Sequence, residues 1–219
     1  MFKNFFSFLR HPLENAPYTY KPRDILGTLV LYALFTVGLI AALAAIYICM
    51  RELFPDLTSK ELPISHHPYH WAIVSLLGPF LEECAFRLPL RRYKAFLFIG
   101  LVVFSYFIIS HLTFSHQNYS TDHLAIRIIL AILGGALLYV LLHKPFARCR
   151  FGGVFYVSAV AFGCIHIVNA HFSEFLPLDY VFLLLYLGKQ IFTGVLLGYA
   201  RLRHGFPAGF LLHALNNAL

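Results

Sequence analysis

Residues 25–50 of the chain read ILGTLVLYALFTVGLIAALAAIYICM, a run of 26 residues without a charged side chain. A helix needs about 20 apolar residues to cross the hydrocarbon core of a bilayer. Of all 219 residues, 59% are hydrophobic and only 12% are charged. Because so few polar side chains cannot cover a water-soluble surface, the sequence predicts an integral membrane protein.

Six further apolar runs follow the first one, at about 71–90, 95–114, 124–142, 151–170, 180–200 and 206–219. The runs are long and continuous, whereas the strands of a membrane barrel alternate apolar and polar residues over about 10 positions. The sequence therefore predicts an all-α fold, a multi-pass membrane helical bundle of about seven (six to eight) transmembrane segments. The final run is shorter than a full span.

The positive charges indicate an orientation for this bundle. Lys and Arg residues precede the first run and follow the second, fourth and sixth, whereas residues 115–123 and 171–179 contain none. Positively charged loops usually stay on the cytoplasmic side, so we expect a cytoplasmic N-terminus, in the cytoplasmic membrane if the host is bacterial. The net charge of +7 is spread over these loops rather than gathered on one face, which argues against nucleic acid as a partner.

The domain organisation is predicted to be simple, since no internal repeat or soluble linker divides the chain. Residues 1–70 would form an N-terminal interfacial segment, the first transmembrane helix and a loop, and residues 71–219 the remaining membrane core, together one structural domain. The phenylalanines of the first ten residues favour a helix at the membrane surface, with a flexible tail as the alternative. The four cysteines are scattered without CxxC spacing, which indicates neither a disulfide framework nor a zinc knuckle.

Ionisable residues interrupt the second apolar run, where residues 78–87 read GPFLEECAFR. A charge near the bilayer centre costs at least about 2.5 kcal/mol, so each such group is expected to have a partner. Glu83 and Arg87 are four residues apart on one helix face, in the order that favours an ion pair. Glu82 lies about 100° around the helix and has no basic partner in this run, which leaves it free to act as a general base. An ion network of all three with a purely structural role is the alternative.

Two other apolar runs also contain polar side chains. His166 lies four residues after Phe162 in one run, and His213 and Asn217 are four residues apart in the last. A lone histidine in a membrane helix is usually an interhelical hydrogen-bonding group. Three separate runs that each contain polar groups are better explained by one shared polar site.

The motifs Glu82-Glu83-x-x-x-Arg87, Phe162-x-x-x-His166 and His213-x-x-x-Asn217, in this order on separate membrane helices, resemble a known family. It is the CAAX protease and bacteriocin-processing (CPBP) family of intramembrane endopeptidases, which includes CAAX prenyl endopeptidases and bacterial bacteriocin-processing and self-immunity proteins. The resemblance extends from Glu82 to Asn217 and marks residues 71–219 as a catalytic membrane core. Residues 1–70 carry no family motif.

The resemblance implies an endopeptidase that hydrolyses a peptide bond of a membrane-associated protein or peptide, in CAAX-type or in bacteriocin or leader-peptide processing. Glu82 would activate a water molecule with the help of His166, and His213 and Asn217 would donate hydrogen bonds to the oxyanion. Structural support would come from three further residues of the motifs, Glu83, Arg87 and Phe162. No cofactor is expected, and zinc held by Glu82, His166 and His213 is the metal-dependent alternative.

Two other functions fit the same polar residues. One is a non-proteolytic membrane scaffold, regulator or immunity protein of the same family, which binds a regulatory membrane partner through the polar pocket. The other is a small transporter in which buried Glu and His side chains relay protons.

Overall fold

The computed structural model describes residues 2–13, 18–57, 73–113, 122–169 and 175–218. These parts of the chain are helical and contain no strand, which confirms the predicted all-α class. The α-helices in chain order are α1 (Phe2–Arg10), α2 (Pro22–Leu53), α3 (Gly78–Phe86), α4 (Lys94–Thr113), α5 (Leu124–Arg148), α6 (Phe151–Ile165), α7 (Pro177–His204) and α8 (Phe206–Ala218).

Four of the described helices are long and apolar enough to cross a membrane. They are α2, α4, α5 and α7, with 32, 20, 25 and 28 residues, and the apolar α6 is shorter, with 15. Helices of this length and composition indicate a membrane protein. The predicted number of about seven spans is not confirmed, because the other apolar runs form shorter helices.

The predicted span 71–90 shows the clearest difference from a continuous helix. Its described part consists of a π-helical turn (Ile73–Leu77), the nine-residue α3 and a 3₁₀ turn (Leu88–Arg91). Pro79 and Pro89 each lack the amide hydrogen that a continuing helix needs, and their rings clash with the preceding turn. Arg92 then adopts a left-handed conformation (φ 53°), which ends the segment.

Close packing of α6 on α7 depends on glycine. A Cβ atom on Gly163 of α6 would lie 3.0 Å from the backbone nitrogen of Ile191, and one on Gly194 of α7 would lie 3.0 Å from the carbonyl oxygen of Ala159. The two backbones therefore approach more closely than side chains would permit, as small residues allow in membrane bundles. This contact sets the position of the residue that follows α6, His166.

The first helix packs against the bundle through its phenylalanines. The rings of Phe5 and Phe8 lie 5.2 Å and 5.0 Å from the ring of Tyr199 on α7, and Phe8 also contacts Phe155 on α6 at 5.1 Å. Phe5 is fully buried. Residues 2–10 thus form a helix that aromatic contacts hold against α6 and α7.

Hydrogen bonds fasten the segment before α2 to the end of α7. The buried His204 ring lies 2.8 Å from the Thr19 carbonyl oxygen and 2.7 Å from the Thr28 hydroxyl. The amide of Thr19 also donates to the carbonyl of Arg203 at 2.9 Å. These bonds hold α2 antiparallel beside α7, so that α7 contacts α2 on one side and α6 on another.

Candidate active site

The carboxylates of α3 lie in different surroundings. Glu83 is completely buried, and its Oε1 lies 3.6 Å from Nε of Arg87, which is only 1% exposed. This is the ion pair that the spacing of four residues predicts. Glu82, one position earlier, is 14% exposed and lies outside this pair.

His213 of α8 lies between both carboxylates. Its Nδ1 is 3.1 Å from Glu83 Oε1, and its Nε2 is 3.5 Å from Glu82 Oε2. Gly209 makes this approach possible, because a Cβ atom there would lie 3.1 Å from Glu83 Oε2. The contact with Glu83 was not foreseen from the sequence, since the two residues are 130 positions apart.

His166 begins the 3₁₀ turn (His166–Asn169) that follows α6. Its Nδ1 lies 2.8 Å from the carbonyl oxygen of Phe162. Because a carbonyl oxygen can only accept, Nδ1 carries the proton and donates a hydrogen bond to it. The other ring nitrogen, Nε2, is 4.0 Å from Glu82 Oε2. The spacing of four residues between Phe162 and His166 therefore has a physical role, because it fixes which nitrogen faces the glutamate.

The Phe162 side chain supports the site as well. Its ring centroid lies 4.8 Å from that of His166 and 5.4 Å from that of His213. The central carbon of the Arg87 guanidinium lies 3.7 Å from the same ring, a cation–π distance. One buried phenylalanine thus holds both imidazoles and the arginine in place.

Glu82 differs from Glu83 in its exposure and in the groups that face it. Within the described part of the chain, Glu82 Oε2 is buried and has no hydrogen-bond partner, although two imidazole nitrogens face it. The side chains of Glu82 and His166 are 14% and 16% exposed, whereas Glu83 and His213 are at most 1% exposed. The site has a sealed side and an accessible side, with Glu82 on the accessible one.

Asn217 is placed one turn beyond His213 on α8. Its side-chain oxygen accepts a hydrogen bond from Asn216 at 3.1 Å, and its backbone carbonyl accepts one from the Ser75 hydroxyl at 3.3 Å. The bond from Ser75 fastens the end of α8 to the π-helical turn before α3. The predicted role of Asn217 as an oxyanion donor stays a prediction.

Two polar residues of α7 that contact each other, one of them near Glu82, were not singled out from the sequence. Gln190 is buried and donates to the Tyr186 hydroxyl at 2.7 Å. Tyr186 is within electrostatic range of Glu82. Two polar side chains four residues apart within an apolar run were the signal that could have found them.

Glu82, His166 and His213 are the ligands of the metal-dependent alternative, which stays a prediction. Among the described residues, no group of three or more His, Cys, Asp or Glu side chains is arranged to hold a metal ion. His213 instead directs one nitrogen to each of two carboxylates. Removal of metal by chelators tests this alternative directly.

Comparison of the chain with protein-family models, with curated proteins and with solved structures found no match. The assignment of a function therefore depends on the sequence motifs and on the geometry of the site.

Proposed function

We propose that the chain is an intramembrane endopeptidase that hydrolyses a peptide bond of a membrane-associated protein or peptide, of the CPBP type that its motifs resemble. The observation that carries the proposal is the convergence on one carboxylate. Glu82 from α3, His166 from the end of α6 and His213 from α8 meet at an oxygen atom that has no hydrogen-bond partner in the described part of the chain. Unpaired polar groups of this kind inside a membrane bundle are costly and are characteristic of functional sites.

In the proposed reaction, Glu82 Oε2 accepts a proton from a water molecule that hydrogen-bonds both to it and to His166 Nε2. The water oxygen forms a bond to the carbonyl carbon of the substrate, and the electron pair of the C=O double bond moves to the carbonyl oxygen. Collapse of this tetrahedral intermediate breaks the C–N bond, and Glu82 returns the proton to the leaving nitrogen. General base catalysis of this kind contributes about 10²–10⁴-fold to the rate.

The hydrogen bonds of the two histidines support different roles. His166 donates from Nδ1 to Phe162, so the lone pair on Nε2 can accept a hydrogen bond from the water. His213 has the Glu83 carboxylate at Nδ1, and a second proton on its Nε2 would make an imidazolium that donates to the oxyanion. An oxyanion donor contributes about 10²–10³-fold, and Asn217 is the proposed second donor.

The finer topology is part of this proposal. We infer about seven membrane segments with a cytoplasmic N-terminus, in which the short α3, α6 and α8 complete the bundle. The basic loops support the orientation. Irregular backbone at membrane depth is tolerated where other parts of the protein cover it. Such cover is present around Glu83 and Arg87, which are both buried.

A non-proteolytic scaffold or regulator is the second candidate. The observation in its favour is the closed network of Arg87, Glu83 and His213, all at most 1% exposed. Such a network can hold a bundle together without any chemistry. In that case Glu82 would bind a partner rather than activate water.

Mapping of protein termini by mass spectrometry separates these functions, and it works on whatever substrate the membranes contain. Membranes are prepared from cells that make wild-type protein, the Glu82→Gln variant or the control variant Glu52→Gln, whose side chain is exposed at the end of α2. We expect new termini in membrane proteins or peptides with wild type and Glu52→Gln, and none with Glu82→Gln. Identical termini in all three samples would contradict the proposed hydrolysis.

A further inference from the structure

An open groove of about 340 Å³ runs between α2 and α7. Its lining residues are apolar except for one lysine, namely Leu39, Ala42, Leu43, Ile46, Leu185, Gly188, Lys189 and Phe192. Both helices are among those long enough to cross a membrane, and only 17% of the 18-residue apolar stretch of α2 is buried inside the bundle. The groove therefore faces the surroundings of the bundle at membrane depth.

Lys189 is the unusual member of this lining. Its side chain is 9% exposed, and within the described residues it makes no hydrogen bond or ion pair. It follows Pro177 by 12 residues and precedes His204 by 15, which places it about 18 Å and about 22 Å from the ends of α7. A lysine in the middle of a membrane helix needs an anionic partner, because an unpaired charge there is costly.

The depth of Lys189 restricts what the anion belongs to. The phosphate or carboxylate of a lipid lies at the membrane surface, about 15 Å from the middle of the hydrocarbon core. A carboxylate at mid-depth is more readily supplied by an Asp or Glu side chain of a transmembrane helix. The occupant favoured by charge and depth is therefore a helix rather than a lipid.

The shape of the groove fits a helix as well. A Cβ atom on Gly188 would meet nothing within 4 Å, and the same holds for Gly38, one position before Leu39 on α2. Ala42 lies one turn further along α2 and is exposed. Small residues at these positions allow the backbone of another helix to approach closely, which is how membrane helices associate.

A second copy of this chain does not supply the required carboxylate. The acidic residues within its apolar runs are Glu82 and Glu83. Glu83 is engaged by Arg87 and His213, and Glu82 faces the two histidines inside the bundle. The partner must then be a different protein.

We propose that this groove binds a transmembrane helix of another protein that carries an Asp or Glu near the middle of its span, paired with Lys189. The proposal is independent of the proposed hydrolysis, since it needs only association. The proposal defines the partner by three features. The partner is a membrane helix, it has small side chains on the face that enters the groove, and it carries one carboxylate near the middle of its span.

The test uses synthetic transmembrane peptides and the full chain in phosphatidylcholine vesicles. Leucine-alanine peptides of about 20 residues carry Asp, Asn or Leu at the central position, and association is measured by energy transfer between fluorophores on peptide and protein. We expect the Asp peptide to bind about tenfold more tightly than the Leu peptide, with the Asn peptide between them. Lys189→Met should remove the preference, and Lys189→Glu should transfer it to a peptide with central Lys.

A steric variant keeps the test decisive if Lys189 variants do not fold. Gly188→Leu keeps the charge but fills the groove, and should weaken binding of the Asp peptide about tenfold. Gly153→Leu on α6, where an added Cβ also meets nothing within 4 Å, is the matched control and should leave binding unchanged. Equal binding of Asp and Leu peptides, or binding unaffected by Gly188→Leu, would overturn the proposal. So would saturable binding of palmitate that requires Lys189 while the Asp peptide shows no preference.

Discussion

Two parts of the molecule differ in how their helices are built. The hairpin of α4 and α5 consists of continuous helices of 20 and 25 residues. Only 28% and 17% of their 18-residue apolar stretches are buried inside the bundle. The polar site is carried by α3, α6 and α8, with nine, 15 and 13 residues, and each of the first two is bordered by a π-helical or 3₁₀ turn. Continuous helices satisfy every backbone group by themselves, so they tolerate lipid, whereas interrupted ones require cover from neighbouring protein.

In this molecule, the helices that carry the polar site are the ones that are interrupted. The π-helical turn ends directly before α3, and His166 is the first residue after α6. His166 faces Glu82 from the start of the 3₁₀ turn, and Glu82 itself lies in the short helix that follows the π-helical turn. If this explanation is right, substitutions in the site should have consequences that substitutions in the hairpin do not.

The largest effect is expected from the base itself. Glu82→Gln removes the proton acceptor but keeps the size of the side chain, so hydrolysis of a substrate identified by terminus mapping should fall by about 10²–10⁴-fold. The rate of cleavage by purified protein in vesicles measures this. Wild-type turnover in Glu82→Gln would show that the site is not the catalytic one.

The next effect concerns stability. Arg87→Met leaves the buried Glu83 without its cationic partner, which should destabilise the folded protein by about 3–5 kcal/mol. Unfolding in detergent by heat or denaturant gives the difference, and Arg148→Met at the exposed end of α5 is the control. An equal loss of unfolding free energy in both variants would mean that the ion pair of the site stabilises the protein no more than a charge on the hairpin does.

A smaller effect is expected where α6 meets α7. A Cβ atom at Gly163 would lie 2.4 Å from a side-chain carbon of Ile191, so Gly163→Ala should cost about 1–3 kcal/mol by overpacking and should displace His166. On the same helix, Gly153→Ala meets nothing within 4 Å and should be neutral or stabilising by up to about 1 kcal/mol. Unfolding measurements that rank the two variants in the opposite order would refute the close approach of α6 and α7.

No effect is expected from removal of metal. Since no step of the proposed reaction uses an ion, cleavage should persist at its full rate after exhaustive chelation with EDTA and 1,10-phenanthroline. Loss of cleavage that zinc alone restores would establish the metal-dependent alternative with Glu82, His166 and His213 as ligands.

The sequence predicted the helical class because each long apolar run can satisfy its backbone only as a helix in a bilayer. It also predicted the Glu83–Arg87 pair, since four residues on one helix fix the distance. It did not predict the interruption around Pro79 and Pro89, because the length of the apolar run outweighed the proline signal in that interpretation.

Sequence patterns did not predict the contacts between residues that are far apart along the chain. His213 reaches Glu83 across 130 positions, and His204 reaches Thr28 across 176. Such contacts depend on how helices pack in three dimensions, which helical periodicity does not encode. The motifs indicated that the polar groups of three runs share a site, but not that His213 would lie between both glutamates.

The central claim is that Glu82 and His166 act on one water molecule, and a double-mutant cycle on cleavage tests it most directly. His166 is the better partner for Glu82 in this cycle, because His213 also contacts Glu83 and its removal would disturb the ion pair. If both residues act in the same step, Glu82→Gln/His166→Ala should cleave no more than about threefold more slowly than the worse single variant. Losses that multiply in the double variant would show that the two side chains act independently, and would contradict the shared site.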